Sequence, residues 1–166
     1  MVVGRERMEF AEFYEANWER CLRAVAAVVG SQDQAEPLLA EAFARAWASW
    51  RKVSRHPAPQ AWVVRTALNV SASRWRRSKW ELAFSGRQHT APVQEVVGMD
   101  PAVTRAVRDL PARQREGVVL RVLLDLDTKT TARQLGIAPG TVMVHLSRGL
   151  ATLRRELAHI TTEVDQ

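Results

Sequence analysis

The sequence predicts an all-α chain of two small helical domains joined by a flexible linker, and three observations carry that expectation. Apolar residues recur at three- and four-residue spacing over most of the length, with almost no two-residue alternation. Helix-start and helix-stop residues punctuate those stretches. Residues 81–100, "ELAFSGRQHTAPVQEVVGMD", break the pattern with two glycines and one proline, as a linker does. The expected domains are therefore residues 1–80 and 101–160.

Each element follows from local signals. Phe10, Tyr14, Trp18, Cys21, Val25 and Val28 form the apolar stripe of a first helix that runs to Gly30. Ser31 followed by Gln34 resembles a capping box, and Leu39, Phe43, Ala46, Trp47 and Trp50 mark the buried face of a second helix. Pro37 lacks an N–H, which predicts that this helix begins later or kinks there. "RKVSRHPAP" is a loop over residues 51–59. A third helix runs from about Gln60 to Trp80, with Val64, Leu68, Ala72 and Trp75 inward and Arg65, Asn69, Ser73 and Arg76 opposite.

After the linker, Asp100 caps a helix that has Pro101 at its first position. Leu110-Pro111 ends it and opens another over "ARQREGVVLRVLLDL". A short helix follows Asp127 and stops at Gly136, and the last helix starts near Pro139 with Val142, Leu146, Leu150, Leu153 and Leu157 buried. "TTEVDQ" reads as a frayed tail.

A chain of 166 residues can bury one ordinary core or two small helical ones, and 46% hydrophobic with 25% charged residues describes a globular protein. No apolar run is long enough to span a bilayer, and "MVVGRERMEF" is not a signal peptide. Cys21 is the single cysteine, which excludes an internal disulfide and reads as a core residue. These features predict a cytoplasmic protein. His56, His89, His145 and His159 share no metal-ligand spacing. No glycine-rich phosphate loop, nucleophile elbow or paired-carboxylate site is present, so the chain reads as a non-enzyme without cofactor or metal.

Charge is unevenly placed. Of the net +6, residues 1–44 carry 4 basic and 8 acidic side chains, whereas residues 45–80 carry 9 basic and none acidic. The same block holds Trp47, Trp50, Trp62, Trp75 and Trp80, five of the 6 tryptophans. Cations interleaved with aromatic rings suit unpaired nucleic acid, the charges tracking phosphates and the rings stacking on bases. The competing reading is a solvated basic face with the tryptophans in the core.

"QLGIAPGTVMVHLSRGLATLRREL" (134–157) has the form of the second half of a helix-turn-helix. With Val142 and Leu146 inward, Thr141, Met143, Val144, His145 and Arg148 face DNA. Met143 and Val144 can touch only apolar groups such as thymine methyls, and Thr141 and Arg148 can hold phosphates. Direct readout is thin, so groove shape and a tethered first domain supply the remaining specificity.

Four stretches together resemble the extracytoplasmic-function sigma factors of bacterial RNA polymerase: "DQAEPLLAEAFARAW" (33–47), "PQAWVVRTALNVSASRWRR" (59–77), "LPARQREGVVLR" (110–121) and "LGIAPGTVMVHLSRGLATLRREL" (135–157). The resemblance implies a region 2-like helical bundle followed by a region 4-like helix-turn-helix. It implies that Asp33, Glu36, Glu41, Phe43 and Arg45 bind core RNA polymerase. Arg51, Lys52, Arg55, His56, Trp62, Arg65, Asn69, Arg74, Arg76 and Arg77 would then engage the melted −10 promoter element. Arg113 and Arg115 would join the last helix at the double-stranded −35 element.

Core polymerase and promoter DNA are the implied partners, the resemblance allows an anti-sigma factor, and no membrane is involved. Four positions depart from the family pattern: Pro37 and Ser73 replace acids, Ala40 a glutamine and Thr130 a glutamate. Two alternatives stand beside this reading. One is a helix-turn-helix regulator that binds duplex DNA without polymerase; the other is a sigma-like interaction protein without initiation activity.

Overall fold

Gly30 and Ser31 make the first corner. Gly30 adopts φ +82, which glycine reaches without a Cβ penalty, and ends α1 (Val2–Val29). Ser31 then accepts a hydrogen bond from the Gln34 N–H at 3.3 Å, opening α2 (Gln32–Ala48). The structure is a computed structural model that describes residues 2–85, 96 and 98–164.

α2 does not begin later at Pro37; the proline lies inside a continuous helix. The Ser31 cap has already started the helix, and the one hydrogen bond that Pro37 forfeits would have gone to an exposed turn. Burial of Ala35, Leu38 and Leu39 on either side of it outweighs that loss. The expected loop is shorter than residues 51–59. A single turn, α3 (Trp50–Val53), precedes it, and α4 (Pro59–Ser85) follows. α4 thus runs past Trp80 into the expected linker; the rest of that linker, residues 86–95 and 97, lies outside the described residues, as does His89. Ala72 is exposed on α4, not buried.

α2 packs along α1, and α4 packs on both. Their shared faces are lined by Ala24, Ala26, Ala27, Ala35, Ala42, Ala46, Ala61 and Ala67, all fully buried. Such small side chains let helix backbones approach closely, while Val25, Leu39, Val63 and Val64 fill the space between them. An aromatic cluster closes the outer end of this bundle. Phe43 lies edge-on to Phe10 and Tyr14, with centroids 6.4 and 4.9 Å away, and Trp50 stands edge-on to Phe10 at 5.2 Å.

Asp100 Oδ1 accepts the Ala102 N–H at 2.7 Å and starts α5 (Pro101–Asp109), as its sequence position predicts. α6 (Ala112–Val118) does not continue as one helix to Leu126. It widens into a π-helical stretch over Val119–Leu123, and the chain then turns through Asp125 at φ 52. Leu120, Leu124 and Leu126 are all buried, so the widened turn serves to point all three inward. The Arg121 guanidinium holds the turn by donating to the Leu126 carbonyl.

Asp127 caps α7 (Thr128–Leu135), Gly136 ends it in the left-handed region at φ 66, and α8 (Pro139–Val164) follows. The helix therefore includes residues 161–164 of the expected tail. α6 and α8 cross closely at Gly149, where an added Cβ would stand 2.9 Å from Val118 Cγ2. The described residues form no strand. Buried apolar residues form one cluster running from Cys21 on α1 through Leu110 and Leu124 to Leu153 on α8.

Candidate nucleic-acid interface

The helices place the residues assigned to polymerase on α2, and two of them are acids in the open. Asp33 and Glu36 are exposed. Glu41 is half-buried and paired twice: its Oε1 takes Arg45 Nη2 at 2.6 Å and its Oε2 takes Arg74 Nη2 at 2.7 Å. Phe43 corrects an expectation. It is 2% exposed, sits among Phe10, Phe13, Tyr14 and Trp18, and has no surface to offer a partner. Its spacing from Leu39 and Ala46 puts it on the buried stripe of α2.

The acid-free block divides in the same way. Trp50 is core, and Trp47, though 39% exposed, packs its ring on Phe10 at 5.2 Å, so both belong to the aromatic cluster. The side chains of Trp75 and Trp80 lie outside the described residues. Trp62 is the tryptophan that remains beside cations, lining a cleft of about 490 Å³ with Arg65, Thr66, Asn69 and His56. Lys52, Arg55, Arg65, Arg76 and Arg77 are exposed. Arg51 pairs with Glu6 of α1 at 2.8 Å, a partner that sequence spacing could not reveal. The His56 Nδ1 accepts the Ala58 N–H at 3.0 Å, so His56 also shapes the loop that leads into α4.

The far wall of that cleft was not foreseen. Thr130, Arg133 and Gln134 of α7 face the α4 residues, and Gln134 Nε2 lies 3.5 Å from His56 Nε2. No local pattern in the chain could signal this, because the two sides are some seventy-eight positions apart.

At the C-terminal end, α7 and α8 form the helix-turn-helix. The Thr130 N–H and hydroxyl both bond Asp127, at 2.7 and 3.0 Å, and these two bonds hold the Asp127 carboxyl below its ordinary pKa. On α8, Thr141, Met143, Val144 and Arg148 are exposed, His145 is partly exposed, and Val142 is fully buried. Thr128 Oγ1 donates to Met143 Sδ at 3.5 Å, which steadies the thioether against α7. The first turns of α8 thus present one largely exposed polar-apolar face, with Met143 held by α7 and His145 partly covered beside Gly117 of α6, in the arrangement of a major-groove helix.

Arg113 and Arg115 part company. Arg113 is exposed and pairs with Glu116 at 3.2 Å. Arg115 is a correction: it is half-buried, and its guanidinium donates to the Leu110 carbonyl at 3.0 Å and the Val28 carbonyl at 3.4 Å. Burial, then the neighbouring Arg108, pulls its pKa below the usual arginine value. These two bonds tie α6 to the end of α1 and to the α5–α6 corner. Among the described residues no helix is long and apolar enough to cross a membrane.

Comparison with known proteins agrees with this arrangement. The family described as "Sigma-70 region 2" matches residues 13–81, and "Sigma-70, region 4" matches residues 101–153. The chain is 31% identical over 155 residues to the RNA polymerase sigma-E factor of Streptomyces coelicolor, covering 92% of this chain and 88% of that one. It is 27% identical over 169 residues to the ECF RNA polymerase sigma factor SigM of Mycobacterium tuberculosis, covering 98% and 84%. Its fold is similar to that of the sigma factor RpoE of Bartonella quintana, solved with the anti-sigma factor NepR, at a TM-score of 0.78 and 20% identity over 90% and 97% of the two chains. On these grounds the chain belongs to the sigma-70 family, among the extracytoplasmic-function RNA polymerase sigma factors.

Proposed function

We propose that this sigma factor divides its work between two surfaces, α2 toward core RNA polymerase and two DNA faces toward the promoter. The exposed acids Asp33 and Glu36 and the paired Glu41 and Arg45 form the polymerase side. The cationic face of α3, the following loop and α4 takes the melted −10 strand, with phosphates on Lys52, Arg55, Arg65, Arg76 and Arg77, and with Trp62 and Asn69 beside the bases. The exposed face of α8 takes the −35 duplex. The two family matches, residues 13–81 and 101–153, support a division into two functional domains. A solved relative's complex with an anti-sigma factor supports such a protein as a further partner.

The observation that carries this reading is the exposed row of cations on α4, with no acidic residue from 45 to 80, in a chain that also carries an exposed helix-turn-helix face. A regulator acting without polymerase would have no use for the row. The testing experiment is transcription in vitro with core polymerase and genomic templates, the products sequenced. Discrete start sites that require this protein are expected. Core polymerase that binds the protein but starts nowhere would favour the sigma-like interaction protein instead. Asp33→Arg with Glu36→Arg should weaken co-purification with polymerase, because both acids are exposed on α2 and Glu36 bonds only its helical neighbour Gln32, at 3.2 Å.

A further inference from the structure

Among the described residues, both ion pairs that join different helices hold an arginine of the acid-free block. Glu6 of α1 takes Arg51 at 2.8 Å, and Glu41 of α2 takes Arg74 at 2.7 Å. The two acids come from residues 1–44, where 8 acidic side chains stand against 4 basic ones. The other pairs, Arg5–Glu9, Arg45–Glu41, Arg113–Glu116 and Arg155–Glu156, each lie within one helix. No ion pair among the described residues takes Lys52, Arg55, Arg65, Arg76 or Arg77.

In each pair between helices the arginine is the looser member. Side-chain exposure is 74% for Arg51 against 26% for Glu6, and 53% for Arg74 against 33% for Glu41. A guanidinium fork fits a carboxylate and a phosphate alike, so an exposed arginine can leave one for the other while the acid stays in place. A cation outside these pairs also stands beside each held one. Arg55 lines the same groove as Glu6 and Arg51, between α1 and α3, and Arg77 follows Arg74 by three residues on α4.

We propose that Glu6 and Glu41 are built-in competitors of the DNA backbone, holding Arg51 and Arg74 and so restraining non-specific binding of single strands. This rests on the strand-binding reading of the preceding subsection. A phosphate reaches either arginine only by displacing a carboxylate, so a strand met at random gains little from them. A strand already anchored on Arg55 and Arg77 presents its neighbouring phosphates at high local concentration, and the arginines then change partners. The acids thus lower non-specific affinity, and the margin by which a correctly seated strand exceeds it grows. An exposed ion pair is worth little, so each acid restrains its arginine by about five-fold at most.

The test titrates the full chain against a fluorescent oligothymidylate of about twelve nucleotides at fixed low salt, read by anisotropy. Glu6→Gln keeps the length and an acceptor oxygen of the side chain and removes its charge. It should bind the oligonucleotide more tightly, by up to about five-fold. Glu12→Gln removes the same charge from an exposed position of the same helix, and it measures the general effect of a lost negative charge. In an Arg51→Ala background, Glu6→Gln should gain nothing beyond that general effect, because no arginine is left to release. Glu41→Gln should tighten binding too and lose part of its gain with Arg74→Ala, the remainder coming from Arg45 on the other carboxylate oxygen. A gain for Glu6→Gln no larger than that of Glu12→Gln overturns the proposal and leaves the strand-binding reading standing. A gain undiminished by Arg51→Ala does the same. No binding by any form, the parent included, overturns both.

Discussion

Glu41 and Arg74 are joined across the α2–α4 contact, Oε2 to Nη2 at 2.7 Å. One residue was expected to face polymerase and the other DNA. Their pairing, with Arg45 on the other carboxylate oxygen, ties the two surfaces into one network. Arg74 is a cation already spoken for, whereas Arg76 and Arg77 are exposed.

That contrast sets the first prediction. Replacing Arg76 and Arg77 by alanine should flatten the dependence of log affinity for single-stranded DNA on log salt by up to about 0.7 per lost phosphate contact. Arg74→Ala should change that slope less, because its charge is partly neutralised by Glu41. Anisotropy titrations over a salt series compare the three slopes, and an equal loss for Arg74 would mean that the ion pair opens on binding.

On α8, Arg148→Ala should weaken binding to all duplexes roughly alike, as removal of a phosphate anchor does. His145→Ala should instead reduce discrimination among −35 sequences, by roughly 1–3 kcal/mol if the ring reads a base edge. A panel of duplexes at one salt concentration separates the two. Uniform loss with both variants would leave groove shape as the source of specificity.

Gly149→Ala should destabilise the helix-turn-helix half by about 1–3 kcal/mol, the usual range for overpacking. The added methyl would meet Val118 Cγ2 at 2.9 Å, and that buried, β-branched side chain has little room to give. Thermal or urea unfolding followed by circular dichroism reads this directly. Gly140→Ala, where nothing lies within 4 Å, is the control and should be nearly neutral.

Cys21 should not react with Ellman's reagent in the native state at neutral pH, and should react fully in denaturant. It is wholly buried, and burial pushes its thiol up to about 12, so almost no thiolate forms. Rapid native labelling would mean that α1 opens locally near Gln60, whose carbonyl faces the sulfur at 3.9 Å.

Asp127 gives a pH dependence of definite sign. Its two bonds from Thr130 lower the folded pKa, so its contribution to stability is complete above the unfolded carboxylate value. That contribution is lost as pH falls through the lower folded value. Asp127→Asn, which keeps a capping oxygen, should reduce the stability gain between acid and neutral pH relative to the parent. Parallel stability curves for the two proteins would assign the acid sensitivity elsewhere.

How much of this was legible in advance divides by range. The caps at Ser31, Asp100 and Asp127 and the stop at Gly136 were readable because each acts within four residues of itself, through one hydrogen bond or one positive φ. The inward stripes of α1, α2 and α8 were readable because helical periodicity puts them on one side. The exposed α8 face followed from the burial of Val142.

What the chain's local pattern could not decide was which cations are free and which rings are accessible. Arg115 and Arg113 lie two apart in one motif, yet one reaches a carbonyl eighty-seven residues away and the other stays in solvent. Trp50 and Trp62 belong to the same basic block, yet Phe10 and Phe13 of α1 take the first into the core. The sequence by itself determined the helices, their caps and the family; the tertiary structure decided that α7 lies on α4, that Arg51 and Arg74 are paired, and that Phe43 and Arg115 face inward. The reason is physical: helix starts and stripes are set by bonds within one turn, whereas the burial of a side chain depends on partners that only the folded chain brings beside it.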